Sequence, residues 1–450
     1  MTGGPPWFFR NVLSPGRSAA LLGLLFGLAG TSTSAVTVAL PELAGELGVS
    51  AATAAWMVSG YTVALAVATP THGRLADMVG IRLPLTIGIG GMALGSLLSA
   101  LAPSFPVLMV ARVLQGVGAA AVPVLATALI SVRWSGAEQG AALGRVAGVG
   151  ATLSALGPLL GGALEALGGW RWAVALPVLG ALAIPPLWRV APAGGTGERI
   201  DRTGAVLVAL AASGLVLLIQ SPSAGPTAAA VGAVLVVVGA PLLALRVRAR
   251  PHGFLPREIV TNATVLRSAF ATAAVPASWF ALLLGVPLTA ASWGWTPLAT
   301  GALLVPGAVV GFVSPVVART LLARLGPRRT IALACPTAVI ALLTAAAGAL
   351  VQAPVLLTLA VVLVSAAFGV GQPAMISSVG AAVPTGQRGV ALGIATLVFL
   401  TGASVGAALV GGLAEVIGVP GAFCLLVALP LAGLTTLLFG GPDRVERVGA

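Results

Sequence analysis

The chain has 450 residues, 58% of them hydrophobic and only 8% charged, and its mean hydropathy is +1.07. Soluble chains carry about 25% charged residues, so this composition excludes a water-soluble enzyme and describes a protein that crosses a membrane many times. The net charge is +12 and all 23 basic residues are arginine; they stand between apolar runs, which excludes a nucleic-acid partner and makes them topology signals.

A helical span takes about 20 apolar residues, so spans can be counted between charges. Residues 1–17 read as a cytoplasmic arm with an aromatic anchor and no signal-peptide cleavage site. Arg17 to Glu42 holds span 1 and Glu46 to Arg74 span 2. Fifty residues separate Arg82 from Arg133, room for spans 3 and 4, with a turn at Pro103-Ser104-Phe105-Pro106. Arg112 is the only ionisable group among those fifty. Arg145 to Glu165 holds span 5 and Arg171 to Arg189 span 6, completing an N-terminal six-helix bundle at 18–190. A cytoplasmic linker, 191–202, leads to two extra spans within 203–247, turning around Ser221 to Pro226. A basic linker, 248–267, precedes the C-terminal bundle, 268–440. There Arg267 to Arg319 and Arg329 to Arg388 hold two spans each, and Arg388 to Glu415 and Glu415 to Asp443 one each. The total is fourteen, followed by a tail at 441–450.

Orientation follows from the same charges. With the N-terminus inside, 21 arginines fall on cytoplasmic segments, Arg171 falls outside and Arg112 lies in the membrane. That bias predicts a multi-pass cell-membrane protein with both termini in the cytoplasm.

Six spans repeat after eight. Ala142-Leu143-Gly144, Gly161-Gly162 and Glu165 recur as Ala391-Leu392-Gly393, Gly411-Gly412 and Glu415, at an offset of 249 to 250. Gly80 and Arg82 recur as Gly326 and Arg328 at an offset of 246. Parallel repeats of this kind place a substrate path between two bundles.

Four stretches carry the chemistry. The loop after span 2 runs His72-Gly73-Arg74-Leu75-Ala76-Asp77-Met78-Val79-Gly80-Ile81-Arg82. Span 4 contains Arg112-Val113-Leu114-Gln115-Gly116-Val117-Gly118-Ala119-Ala120. Span 5 contains Gly157-Pro158-Leu159-Leu160-Gly161-Gly162, where a proline kinks the helix and glycines four apart allow close packing. Trp170-Arg171-Trp172 follows it. Together they resemble the major facilitator superfamily, and within it the fourteen-span drug/proton antiporters.

The resemblance implies an all-α polytopic fold of two six-helix bundles with two extra central helices. It implies a gating loop at Gly73, Asp77, Gly80 and Arg82, with a second copy at Arg324, Gly326 and Arg328. Met78 and Ile81 stand where basic residues are usual, and Ala323 where the second aspartate belongs. It implies an antiporter-type kink at Gly157, Pro158, Gly161 and Gly162, and interface anchoring by the tryptophans of 170–172. It links Arg112 to proton transfer, although a guanidinium cannot shed its proton in a protein. Span 1 of the family ends in an aspartate and an asparagine; here Ser32 and Thr37 hold those places. No Asp, Glu or His lies deep in a predicted span, so the remaining charge-relay candidates are Arg112 with Glu165 and Glu415. Ser32, Thr37, Tyr61 and Gln115 are candidates for the substrate cavity. His72 and His252 read as solvated, and Cys335 and Cys424 as small buried hydrophobes.

The function expected is export of small, mostly hydrophobic compounds by proton antiport with alternating access. No enzyme activity, metal or cofactor is expected beyond a proton gradient. The partners are a lipophilic small molecule and the bilayer, and the transporter is a monomer. An uncoupled or metabolite-specific facilitator and a non-transporting membrane sensor are the alternatives.

Overall fold

Proline, glycine and short hydroxyl side chains cut the apolar chain into helices at places set by their own chemistry. A computed structural model describes residues 14–134, 136–195, 201–251, 253–383 and 388–438. Among them the N-terminal half runs α1 (Pro15–Glu46), α2 (Ala51–Ala54), α3 (Trp56–Val79), α4 (Arg82–Ala100), α5 (Phe105–Ala119), α6 (Ala121–Arg133), α7 (Gly136–Ala155), α8 (Gly157–Gly168) and α9 (Trp170–Ala175). A 3-10 stretch, Leu176–Ala183, then leads into α10 (Ile184–Val190). Two helices follow, α11 (Arg202–Ala224) and α12 (Pro226–Ala249), and a short α13 (Arg257–Val260). The C-terminal half is α14 (Ala263–Ser292), α15 (Pro297–Leu350), α16 (Pro354–Ala381), α17 (Arg388–Leu426) and α18 (Ala428–Leu438). No strand occurs among the described residues.

Nine of the described helices are long and apolar enough to cross a membrane, or ten if the bent pair α7–α8 is one crossing. The bend between the straight parts of α7 and α8 is 44°, at the start of the Gly157-Pro158 kink. Two long helices are broken inside: Gly326 interrupts α15 and Gly418 interrupts α17 with non-helical backbone.

The breaks follow the sequence repeat. Gly48 (φ 63°) and Gly294 (φ 80°) are 246 residues apart, as are Gly80 (φ 85°) and Gly326 (φ 76°). Gly169 (φ 77°) and Gly418 (φ 74°) are 249 apart. Side chains rarely adopt this left-handed backbone, so the same turn is written into both halves. The helix starts agree. Ser50 accepts the Thr53 N–H as N-cap of α2, and Thr296, 246 residues later, accepts the Ala299 N–H as N-cap of α15.

The apolar cores show how the halves meet. One cluster joins Leu40, Leu43, Met57, Val58 and Trp170 of the first half to Phe280, Leu284, Leu342 and Phe423 of the second. Towards the arginine-rich end the cores separate: Leu22, Leu85, Leu125 and Leu187 cluster within the first half, and Val265, Met375, Val379 and Phe399 within the second. At the shared end the contact is close. A Cβ on Gly162 would lie 2.6 Å from the Pro297 carbonyl oxygen, and one on Gly301 2.5 Å from that of Pro158. Further in, the Ser404 hydroxyl donates to Thr62 Oγ1 across the halves at 2.8 Å.

The two intervening helices lie against both halves at one place. Val208 and Phe254 cluster with Ala66 of α3 and Leu397 of α17. α11 and α12 pack through Gly214 and Gly232, while Val234, Val237 and Leu245 of α12 are exposed. Such a surface is what lipid tails cover.

Candidate functional site

Small residues let α5 sink between its neighbours. A Cβ on Gly116 would meet the Tyr61 carbonyl at 2.5 Å, one on Gly95 the Gln115 nitrogen at 2.5 Å, and one on Gly118 the Met92 nitrogen at 2.2 Å. The buried stripe of α5 therefore carries Leu108, Ala111, Arg112 and Gln115 inward together. Arg112 is fully buried.

Its guanidinium is held from three helices. Nε donates to the Met57 carbonyl (3.2 Å), Nη2 to the Ser32 carbonyl (2.7 Å) and Nη1 to Gln115 Oε1 (2.6 Å). The cation lies 4.5 Å from the centre of the Tyr61 ring, a favourable cation–π position. The Tyr61 hydroxyl donates to the Ala29 carbonyl (2.8 Å), and Gln115 Nε2 donates to Ser32 Oγ (3.1 Å). Carbonyl dipoles and a ring face thus offset a buried charge that would otherwise be costly. Ser32, Tyr61 and Gln115, predicted as cavity residues, come together here, all buried around Arg112. Thr37 does not join them: it is buried on α1 and its hydroxyl donates to the Ser34 carbonyl.

The kink residues place α8 between the halves. A Cβ on Gly157 would reach Ser34 Oγ at 1.9 Å, and one on Gly161 the Ala35 carbonyl at 2.2 Å, so α8 lies on α1 backbone to backbone. Pro158 lies in the first turn of α8, where its missing N–H costs nothing. One helical turn beyond Gly162 stands Glu165, buried at 9% exposure, with Oε2 lacking any partner. The Glu42 carboxyl lies beside it. Glu42 in turn accepts the Trp170 backbone N–H (3.0 Å), and Glu46 accepts the Trp170 indole N–H (2.6 Å) and pairs with Arg171.

The two acids expected as relay candidates differ. Glu415, the repeat partner of Glu165, is exposed on α17. The offset of 246 puts Leu288 where Glu42 stands, so Glu415 has no second carboxyl to meet.

The signature loop is mostly helix, since α3 continues to Val79 and turns only at Gly80. Arg82 does not reach the other half. Its Nε donates to the Ala191 carbonyl (2.9 Å), it lies over the Trp188 ring, and a Cβ on Gly80 would meet Gly194 at 2.6 Å. Arg133 likewise donates to the Val190 carbonyl, at 2.6 Å from Nη2. These arginines satisfy carbonyls at the end of α10, as cations at helix C-termini do. Arg328 does the same in the second copy, donating from Nη2 to the Leu437 carbonyl (2.5 Å) near the end of α18. Arg324 is exposed, and Gly73 is half-buried on α3. The side chain of Asp77, His252 and the tail beyond 438 lie outside the described residues.

Three expectations are corrected. Cys424 is exposed on α17, whereas Cys335 is buried. His72 is buried, its Nε2 2.9 Å from the Val117 carbonyl, because α3 carries it against α5 before the turn. Trp170 is fully buried rather than anchored at an interface, because Glu42, Glu46 and the Arg171 guanidinium enclose it; Trp172 is exposed. Sequence reasoning missed Glu42, Arg133 and the Thr62–Ser404 bridge. Arg133 could have been found from its place at a predicted span end, but the other contacts join residues more than a hundred positions apart.

Comparison with known proteins bears on this site. The chain is 32% identical over 305 residues to the multidrug resistance protein Stp of Mycobacterium tuberculosis, covering 65% of this chain and 56% of that protein. It is 36% identical over 180 residues to the puromycin resistance protein pur8 of Streptomyces alboniger (38% of this chain, 35% of that one). It is 35% identical over 161 residues to the efflux pump dotC of Dothistroma septosporum (35% and 28%). The matches span about half, or less, of the length of these relatives. A solved structure of the xylose transporter XylE from E. coli, in a partially occluded inward-open conformation, superposes with a TM-score of 0.66 at 14% identity, covering 96% of this chain and all of that one. The model of the Major Facilitator Superfamily matches residues 22–398, and again 269–449. The fold is that of a multi-pass membrane protein, and with the coverage of the family model the chain belongs to the major facilitator superfamily.

Proposed function

We propose that this transporter exports small lipophilic compounds from the cell as a monomer of fourteen spans, both termini cytoplasmic. It alternates access by rocking one six-helix bundle against the other, and the proton gradient drives it. The observation that carries the rocking mechanism is the division of the core. The halves share their large apolar cluster at the Trp170 end, meet again only at the small Ala66–Leu397 cluster that Val208 and Phe254 complete, and keep separate large clusters at the arginine-rich end. A pair of rigid bundles that meet at one end and part at the other is one of the two states alternating access requires. The arginine bias supports a cytoplasmic position for the parted end. The drug class is supported by the multidrug, puromycin and efflux names of the relatives.

Coupling cannot run through Arg112 as a carrier. The acid that the resemblance leads one to expect beside it is Ser32, and no carboxylate is among its hydrogen-bond partners. Arg112 instead fixes α1, α3 and α5 in register, so that a substrate or a water entering between the bundles meets a preset field. This same observation favours one second reading, a facilitator that is not proton-coupled.

Everted vesicles from an efflux-deficient host decide between them. An imposed pH gradient drives uptake of a lipophilic dye, and dye movement releases protons, under the antiport reading. Dye movement that ignores the gradient supports the uncoupled facilitator, and no movement of any compound in a susceptibility panel sinks the exporter reading.

A further inference from the structure

We propose that the Glu42–Glu165 carboxyl pair is a proton-binding site that must be occupied for the Trp170 end of the transporter to close. The proposal rests on the alternating-access reading above, and it locates the proton away from Arg112. The geometry is specific. Glu165 is buried at 9% exposure and its Oε2 has no partner. The exposed Glu42 carboxyl lies beside it, held at the turn that ends α8: Gly169 N–H bonds the Glu165 carbonyl (2.7 Å) and Trp170 N–H bonds Glu42 Oε2 (3.0 Å). Two carboxylates offer acceptors alone and repel when both are ionised, and burial adds to the penalty, so the pair favours holding one proton.

The surroundings do not relieve the charge. From α1 the group beside Glu165 is Glu42; Glu46 is turned to the Trp170 indole instead. The charged group of α9, Arg171, is paired with Glu46 and stacked 4.4 Å from the centre of the Trp170 ring. From α15 the backbone contacts on α8 come from Pro297, Leu298 and Gly301, none of them titratable. The charged residues of α7, Glu138 and Arg145, lie towards its other end; Arg145 reaches Gly16 at the start of α1.

The site is also coupled to the gate by position. Gly162 is three residues before Glu165 on the same helical face. Gly162 is where α8 touches Pro297 of the opposite bundle. Parting that seam admits water to Glu165, and a hydrated carboxylate no longer needs the proton. Closing the seam excludes the water and requires it back. The step is protonation alone: one proton from the outer water, relayed by the exposed Glu42, converts one carboxylate of the pair to a carboxylic acid, with no other bond made or broken. Closure at this end is therefore favoured as outer pH falls.

The test reads the gate rather than transport. Spin labels at Leu101→Cys and Leu298→Cys, in a Cys335→Ala/Cys424→Ala background, report the distance between bundles at this end in liposomes. Both positions are exposed and lie on opposite halves. The expected result is that raising the pH from about 5.5 to about 8.5 increases the ratio of long- to short-distance populations by at least about tenfold, since one released proton changes that ratio by up to about tenfold for each unit of pH. Glu165→Gln, which mimics the protonated acid and removes the titration, stays at the short distance throughout. Glu42→Gln shifts the transition to lower pH by removing the repelling charge. A distribution that ignores pH in the parent, or a full pH response retained in Glu165→Gln, overturns the proposal. Because no substrate is present, either result leaves the exporter reading to its own assay.

Discussion

The Arg112 guanidinium donates to the backbone carbonyl of Ser32 at 2.7 Å, while the Ser32 hydroxyl is occupied by Gln115. A charged residue thereby joins α5 to α1 through main chain rather than through an acid. The contact asks for the guanidinium's shape as much as its charge.

Arg112→Ala should abolish export while the protein still inserts in the membrane. It leaves two buried carbonyls and Gln115 without their donor, at about 1–3 kcal/mol each where water does not replace it. Arg112→Lys should rescue little, since an ammonium cannot reproduce the fork that reaches Met57, Ser32 and Gln115 together. Growth on a drug panel with matched membrane expression checks both, and normal export by Arg112→Lys would show that charge alone suffices.

Gly162→Leu should prevent the bundles from meeting at the Trp170 end. The first added carbon would stand 2.6 Å from a carbonyl oxygen of α15. Expression should persist and export should fall at least tenfold, on the order of 1.4 kcal/mol or more taken from the closed state. Wild-type export by this variant would mean that the seam is not needed for turnover.

Arg82→Ala and Arg328→Ala should cost similar stability, because each removes the cation bonded to the end of the last helix of its half. The loss is about 1.5–3 kcal/mol for each charge-assisted bond if nothing replaces it. The two sites belong to different halves, so the double variant should sum the single effects within about 0.5 kcal/mol. Thermal unfolding of the purified protein in detergent measures this. Strong non-additivity would show that the loops communicate.

Asp201 gives a pH prediction at the junction of the extra helices. Its carboxylate accepts from Arg246 (2.6 Å to Nη2) and from the backbone N–H groups of Gly204 and Phe254. The Arg246 hydrogen bond, aided by those of Gly204 and Phe254, holds its pKa below the ordinary carboxylate value. A group with a depressed folded-state pKa contributes stability above its unfolded pKa and loses it as pH falls through the folded value. The melting-temperature gap between wild type and Asp201→Ala should thus be full at neutral pH and close only below the normal carboxylate range. Loss of the cap and bridge should cost about 1–2 kcal/mol at neutral pH. A gap that closes near neutrality would assign it to another group.

Glu415→Gln should leave the pH profile of export unchanged, since this carboxylate is exposed and Leu288 occupies the place of a partner. A shifted profile would return Glu415 to the proton path.

Much of this architecture was legible in the sequence because its punctuation is local. Gly80 and Gly326 turn because a left-handed residue follows an apolar helix, and both the turn and its repeat can be read from neighbours in the chain. The Arg112–Gln115 contact was legible for the same reason, being three residues apart on one helix. The acid pair was not. Glu42 and Glu165 are 123 positions apart, and each alone is an ordinary charge at a span end. His72 was misplaced because a helix that continues to Val79 carries it inward, and glycine at 73 gives no sign of where the helix stops.

The divided core has a consequence for biosynthesis. The cluster around Leu22, Leu85 and Leu125 draws only on residues up to 191, so the first bundle can pack its arginine-rich end while the rest of the chain is still on the ribosome. The shared cluster needs Phe280, Leu342 and Phe423 as well as Leu43 and Trp170. It is therefore the last of the large cores to be completed. Until Phe423 has emerged and docked, the first bundle presents an unfinished apolar face at the Trp170 end, where lipid or an insertion chaperone must stand in for the missing half.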